Sequence, residues 1–270
     1  MSHTASLASR PAPCLVAFDL DDTLAPSKSQ VPNDVARGLM ELLERVPVCV
    51  ISGGQFAQFE TQLLPHLDLT EAASGRLHLM PTCGTRYLVA DGSAYREVYA
   101  RNLSEDQRHR AMAAVEATAK ELGLWESETW GPAIEDRGSQ ITYSALGQAA
   151  PLEAKKAWDP SGEKKNRLRD ELAPQLADLE VRSGGSTSVD ITARGVDKAY
   201  GMRELAAATG IALTDMLFIG DRLDPHGNDY PVKALGVPCL EVSSWQETAD
   251  VIAEVIIRLD ESSTHDRLKA

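Results

Sequence analysis

The stretch VAFDLDDTLAPSK, residues 16–28, passes from an apolar segment straight into acids. Asp19, Asp21 and Asp22 crowd into one turn. Two carboxylates about 4 Å apart repel by roughly 4 kcal/mol at an effective dielectric near 20. Such a cluster needs positive charge close by. The run before it, CLVAF (14–18), has the length and composition of a buried strand. In an open parallel sheet, ligands bind beyond the carboxyl ends of such strands.

Outward from this turn the pattern alternates. Val35, Leu39, Leu42, Leu43 and Val46 recur at helical spacing within 31–46. VCVIS (48–52) is a second buried strand, followed by Gly53 and Gly54, and 55–64 is helical again. Strand, helix, strand, helix implies parallel strands joined by crossovers. The rhythm then changes. RLHLM and RYLVADG form a strand pair broken by Pro81 and by Gly84, a turn or hinge. Ser104 and Gln107 form a capping box ahead of a helix whose face holds Met112, Val115, Ala119 and Leu122. QITYSAL (140–146) alternates as a half-buried antiparallel strand does. A charged helix stops at Pro174, and LEVRSG and TSVDIT are two further strands. The strand–helix rhythm resumes with a helix over 196–210 and the strand MLFIGD (216–221). A closing helix starts with a second box, Ser244 to Glu247. The expected fold is α/β: a Rossmann-like core with a parallel sheet over 13–87 and 188–262, interrupted by an α+β insert over 88–187. Residues 1–12 and 263–270 are expected as flexible tails.

The formal net charge is −13 and the sequence pI about 4.9. This disfavours nucleic acid and anionic membranes as partners. No apolar run approaches the roughly 18 residues of a membrane span. The start, MSHTASLASRPAP, has no apolar signal core, so the cytoplasm is the expected location. Cys14, Cys49, Cys83 and Cys239 are scattered without a CxxC pair, and read as buried free thiols in a reducing compartment. His66, His78, His109 and His226 lack metal-ligand spacing and read as surface or structural residues.

Chemistry-bearing residues collect at the strand ends. Asp19 and Asp21 follow the first strand, Ser52 the second, and Asp221 a third, within LFIGDRLDPHGND. Lys198 begins the helix just before that third strand. Such a set suits phosphoryl transfer. A carboxylate serves as nucleophile and forms an aspartyl-phosphate. A neighbouring carboxyl serves as acid and base. Further carboxylates hold Mg2+, a hard cation that prefers oxygen. A lysine and a serine hydroxyl orient and neutralise the phosphoryl oxygens.

DLDDT, the strand-ending Ser52, Lys198 in GVDKAYGM and the GD…ND run resemble, in order, the four motifs of the haloacid-dehalogenase superfamily. The resemblance implies Asp19 as nucleophile and Asp21 as general acid and base. Asp19, the Asp21 carbonyl and Asp221 would hold Mg2+, with Asp229 and Asn228 completing the shell. Asp224 competes for that last place, and Asp22 reads as a turn residue. An acid at position 21 is usual in the phosphatases and mutases of the superfamily.

The insert lies where the superfamily's C2-type caps sit. Residues 133–156, the lysine-rich helix after them, and RSGGSTSVDIT (182–192) resemble the cap of the eukaryotic-type phosphomannomutases, as do TLAPSK and the spacing of GDRLDPHGNDY. By that resemblance Lys28 meets the substrate near the core, Arg137 grips the far phosphate, and Lys155 stands at another cap arginine. Ser188 and Asp190 match residues that bind sugar hydroxyls. There are departures. Gln148 stands where the family has a third cap arginine. Lys28 and Lys155 replace arginines and lack the bidentate fork. Ser52 precedes the two glycines, whereas the mutases place serine after them, so Gly54 takes that position here.

The resemblance implies a small phosphorylated sugar as partner and a hexose bisphosphate as activator. The related mutases dimerise through their caps, although no apolar cap stripe marks such a surface here. Two enzymatic readings stay open: a mutase interconverting hexose 1- and 6-phosphates, and a phosphatase in which water takes the phosphoryl group. A non-catalytic binding protein on the same fold is opposed by the intact Asp19, Asp21, Lys198 and Asp221.

Overall fold

The computed structural model describes residues 11–92, 94–225 and 227–269, with side chains through 264. Most of the expected N-terminal tail (1–10) and His226 lie outside the described residues.

The first half of the core runs β1 (Leu15–Phe18), α1 (Asn33–Leu43), β2 (Val48–Ile51), α2 (Phe56–Gln62), α3 (Glu71–Ser74), β3 (Leu77–Met80), β4 (Arg86–Asp91) and β5 (Ala94–Ala100). An insert follows: α4 (Glu105–Glu121), β6 (Ile134–Asp136), β7 (Gln140–Ser144), α5 (Leu152–Trp158), α6 (Glu163–Leu172), β8 (Leu179–Ser183) and β9 (Ser188–Ala193). The chain returns through α7 (Lys198–Thr209), β10 (Met216–Gly220), α8 (Tyr230–Ala234), β11 (Cys239–Glu241) and α9 (Trp245–Lys269).

The core sheet has the order β11-β10-β1-β2-β3-β4-β5. The strands from β11 to β3 are parallel, with Leu15 opposite Met216, Val16 opposite Val48 and Val50 opposite Leu79. β4 turns back antiparallel on β3. Strand side chains alternate between faces. Val16, Phe18, Val48, Val50 and Leu79 therefore pack in one apolar cluster with α1 and α9. Leu15, Ala17, Cys49, Ile51 and Phe218 pack in another with Met202 and Leu205 of α7. Burial on both faces is why these strands read as unbroken apolar runs. A Cβ on Gly38 of α1 would lie 2.9 Å from Ile252 Cγ2 of α9, so the glycine sets how closely those helices meet.

The insert builds a separate antiparallel sheet, β6-β7-β9-β8. Ile141, Tyr143, Val189 and Ile191 pack with Val115 and Ala119 of α4 and Leu168 and Leu172 of α6. The opposite face is polar. There Gln140, Thr142 and Ser144 stand opposite Thr192, Asp190 and Ser188. Gln140, Thr142 and Ser144 are buried too, so β7 is not the half-buried strand expected. Alternation shows which face is polar and carries no information on what covers it.

Contacts divide the chain into one unit of residues up to Tyr99 and from Asp197 onward, and a second of Ala100–Val196. The sequence placed these borders at 88 and 187. β4 and β5 extend the core sheet, and β9 pairs on both edges within the small one. The last helix also continues to Lys269 where a tail was expected after 262. No glycine or proline follows Leu259 to stop it.

The Ser104–Gln107 box is complete, with its two bonds at 3.2 and 3.0 Å. The second box is displaced. The Glu247 N–H donates to Ser244 Oγ at 3.5 Å, but its carboxylate accepts from the N–H and hydroxyl of Ser243 instead. The four cysteines are free thiols, yet Cys14 is exposed and only Cys49 is fully buried, which corrects the expectation of four buried thiols. Gly84, at φ +83°, lies in a tight turn rather than at a free hinge. A Cβ on it would come within 2.5 Å of Gly201 Cα.

Candidate active site

The end of β1 stays tied to β10, because the Asp19 N–H donates to the Ile219 carbonyl at 3.0 Å. This presents the Asp19 carboxylate to Lys198, the first residue of α7. Lys198 Nζ stands 2.6 Å from Asp19 Oδ1 and 2.5 Å from Asp229 Oδ1. All three residues are buried. The Asp197 side chain caps α7 by accepting from the Tyr200 N–H at 2.9 Å, which fixes the turn that carries Lys198.

Asp229 is placed by its own loop. Its Oδ2 accepts from the Arg222 N–H at 3.1 Å, and its N–H donates to the Arg222 carbonyl at 3.2 Å. Gly220 makes room for it: a Cβ there would meet Asp229 Oδ2 at 2.4 Å. Asp221, at the end of β10, accepts from Thr23 Oγ1 at 3.4 Å. The Thr23 carbonyl is in turn held by the Thr248 hydroxyl of α9 at 2.7 Å. One carboxylate oxygen from each of Asp19, Asp221 and Asp229 falls within 4.8 Å of the others. Asp224, the rival, pairs with Arg222 at 2.9 Å, and Asn228 is exposed.

Burial pushes the Asp19 carboxyl well above the usual carboxylate range; Lys198 opposes this and Asp229 adds to it. Burial also raises Asp221, with help from the charge on Asp229. Lys198 moves upward as well, because Asp19 and Asp229 outweigh the desolvation that would lower it. The centre therefore carries more acid than one ammonium balances. Three clustered carboxylates are hard oxygen donors of the kind a divalent cation such as Mg2+ takes.

Asp21 has a different environment. Its Oδ1 accepts from the Lys28 N–H at 2.8 Å, and its Oδ2 accepts from Lys28 Nζ at 2.8 Å and Gln58 Nε2 at 2.9 Å. Burial pushes the Asp21 carboxyl up, but the Lys28 charge and these bonds outweigh it and hold it below the usual range. Asp22 sits in the turn at φ +63° and accepts from the Ser27 N–H. Ser52 follows β2, and its Oγ accepts from the Gly54 N–H at 3.0 Å.

Within the second unit, Arg137 forks onto Glu135 Oε2 through Nη2 at 2.6 Å and Nε at 3.2 Å. Asp190 Oδ1 accepts from Thr142 Oγ1 at 2.7 Å and Gln140 Nε2 at 2.8 Å. Gln148 Nε2 donates to Ser144 Oγ, and Lys155 Nζ donates to the Gln148 carbonyl, both at 2.7 Å. Ser188 stands opposite Ser144. The polar face of the small sheet thus gathers Ser188 and Asp190, with Gln148 tied to it through Ser144 and Lys155 tied to Gln148. Sequence reasoning missed Thr23, Gln58, Glu135, Gln140 and Thr142, which hold the named residues in place. Only Thr23 carried a signal, as the last letter of DLDDT.

A profile of haloacid dehalogenase-like hydrolases matches residues 154–231, the stretch bringing Lys198, Asp221 and Asp229. A haloacid dehalogenase-like hydrolase from Bacteroides thetaiotaomicron shares the fold, with a TM-score of 0.60 and 17% identity over 89% of this chain and 98% of that one. Human "Phosphomannomutase 1" is 24% identical over 247 residues, covering 87% of this chain and 88% of the relative. By these matches the chain is similar to enzymes of the haloacid-dehalogenase superfamily. An IMP-nucleotidase of Plasmodium falciparum is a further structural neighbour, with a TM-score of 0.68 and 15% identity over 94% of this chain and 71% of that one. The superfamily generally uses Mg2+, and in this chain Asp19, Asp221 and Asp229 form an acidic cluster that could hold a metal ion. Among the described residues, no helix is long and apolar enough to cross a membrane.

Proposed function

We propose that this enzyme transfers a phosphoryl group on hexose phosphates through an aspartyl-phosphate on Asp19, interconverting sugar 1- and 6-phosphates as a phosphomannomutase does. The observation that carries the reading is the buried ammonium of Lys198 shared by Asp19 and Asp229 beside Asp221. An Asp19 oxygen attacks phosphorus, the bond from phosphorus to the sugar oxygen breaks, and that oxygen takes a proton from Asp21. In the second half, a sugar hydroxyl gives its proton to Asp21 and takes the phosphoryl group back. Lys198 and the Ser52 hydroxyl steady the phosphoryl oxygens. When bound by Asp19, the Asp21 carbonyl, Asp221 and Asp229, Mg2+ supplies further positive charge for those oxygens.

The unit of 100–196 is assigned the role of a cap. Arg137 takes the non-reacting phosphate, Ser188 and Asp190 the sugar hydroxyls, and Lys28 the substrate near the core. A hexose bisphosphate primes Asp19, and the protein works in the cytoplasm as a dimer. One observation favours a phosphatase instead: the amide of Gln148 is spent on Ser144, and the Lys155 ammonium on a main-chain carbonyl. Weaker cap contacts would leave the aspartyl-phosphate to water.

Mannose 1-phosphate with Mg2+, with and without glucose 1,6-bisphosphate, separates the two. Mannose 6-phosphate formed only with the bisphosphate is the expected result. Free phosphate without isomerised product means that water is the acceptor.

A further inference from the structure

Asp21 is held by more than its lysine. Gln58, on α2, donates through Nε2 to Asp21 Oδ2 at 2.9 Å and accepts through Oε1 from Lys28 Nζ at 2.7 Å. Lys28 Nζ completes the ring on the same Asp21 oxygen at 2.8 Å. One turn further along the helix, Gln62 accepts from Gln58 Nε2 at 2.5 Å and donates to the Ser29 carbonyl at 2.8 Å. Gln62 is buried. The two glutamines lie on one helix face, as residues four apart do, and together they grip the loop that holds Lys28 at φ +58°.

This arrangement needs an empty space at position 54. A Cβ on Gly54 would come within 1.9 Å of Gln58 Oε1 and 2.7 Å of its Cδ. Gly54 is not among the positive-φ glycines, so its backbone does not itself demand glycine. What a side chain would collide with is Gln58. Lys28 is 44% exposed in its side chain, and an ion pair that open is worth little alone and fixes geometry poorly. The amide on a packed helix gives Asp21 a second, fixed donor.

We propose that Gln58 is a positioning residue for Asp21, seated in the space Gly54 leaves open, and that positions 54 and 58 work as one unit. The inference rests on the reading of Asp21 as acid and base. It also gives the order Ser52-Gly53-Gly54 a reason: a side chain at position 54, where the mutases place their serine, would displace the amide that holds Asp21.

The test compares wild type, Gln58→Leu, Gly54→Ser and the double variant on mannose 1-phosphate and on p-nitrophenyl phosphate. Each single change lowers kcat about tenfold, a fraction of what acid–base catalysis supplies, with KM moving less than about threefold. The double variant is no slower than either single, because both break the same contact. Gln58→Glu, which keeps the acceptor for Lys28 and loses the donor to Asp21, shows the same kcat loss with an unchanged urea midpoint. Losses that multiply in the double variant overturn the proposal, as does a Gln58→Leu kcat within about twofold of wild type. If wild type turns over neither ester, the functional reading fails. The inference is then decided by the Asp21 carboxyl carbon resonance in Mg2+-free protein. The same displacement in Gln58→Leu and Gly54→Ser supports it, and an unmoved resonance ends it.

Discussion

Asp19 and Asp229 share a single ammonium, that of Lys198, at 2.6 and 2.5 Å. Asp19 follows β1 and Asp229 lies in the loop after β10, far apart in the chain, and Asp221 adds a third acid to the same spot. Removing the ammonium leaves a buried charge cluster unpaired, a change that typically costs about 3–5 kcal/mol. Lys198→Met is therefore expected to lose that order of stability at neutral pH and to lose turnover by about a thousandfold. Millimolar Mg2+ should restore part of the stability, since it supplies positive charge to the same oxygens. Urea midpoints with and without Mg2+ check this, and no recovery would remove the cluster as a cation site.

The acidic loop after β10 offers a matched pair of variants. Asp229→Asn should raise the Mg2+ concentration for half-maximal turnover at least about tenfold, as removal of a metal-site partner does. Asp224→Asn weakens an exposed pair with Arg222 and should leave that concentration within about twofold. Mg2+ titrations of activity read both. The opposite ranking would move the third carboxylate to Asp224.

Arg137 is almost enclosed, with its fork on Glu135. Arg137→Ala should raise the KM for hexose bisphosphate at least about tenfold, the order expected when a charge-assisted bidentate contact is lost. Arg137→Lys should recover only part, because an ammonium lacks the planar fork. Initial rates against bisphosphate concentration decide it. An unchanged KM would take Arg137 out of substrate binding and leave it as the partner of Glu135.

His78 on β3 gives a pH dependence unrelated to catalysis. Burial lowers its pKa from 6.5 to about 4, and its Nδ1 lies 2.7 Å from the Tyr87 hydroxyl. The folded state binds the proton more weakly than the unfolded chain. Its contribution to stability is therefore complete above pH 6.5 and declines as pH falls through that value towards 4. The full loss is about 3 kcal/mol at 1.36 kcal/mol per unit. Urea melts of wild type between pH 7 and 4 should show this slope, and His78→Gln should flatten it. Parallel slopes would show that His78 takes up its proton as readily in the fold as in the unfolded chain.

The parts of this structure legible in the sequence are those where one local rule dominates. β1, β2 and β10 are covered on both faces, so they read as apolar runs ending at acids. β5, AYREVYA, lies at the sheet edge with exposed charged residues, and its sequence resembles a loop. β6 and β11 have three residues each, too few to show a period. At the site, the strand-end acids and Lys198 were visible because each follows or begins an element. The choice between Asp229 and Asp224 was not, because both lie in one loop and only the fold of that loop turns one inward. Gln58 was invisible for another reason: nothing in a helix sequence says which distant loop its amide will meet.

The pairing of Leu15 with Met216 and of Phe18 with Ile219 means that β1 emerges from the ribosome long before its neighbour exists. The insert contains every strand of its own sheet and its own apolar cluster, and can close as soon as it is made. Through that interval β1 has one open edge, an apolar template for misplaced pairing. With that delay between the two strands, the yield of active protein in the cell is expected to depend on synthesis rate and on chaperones that shield a waiting strand.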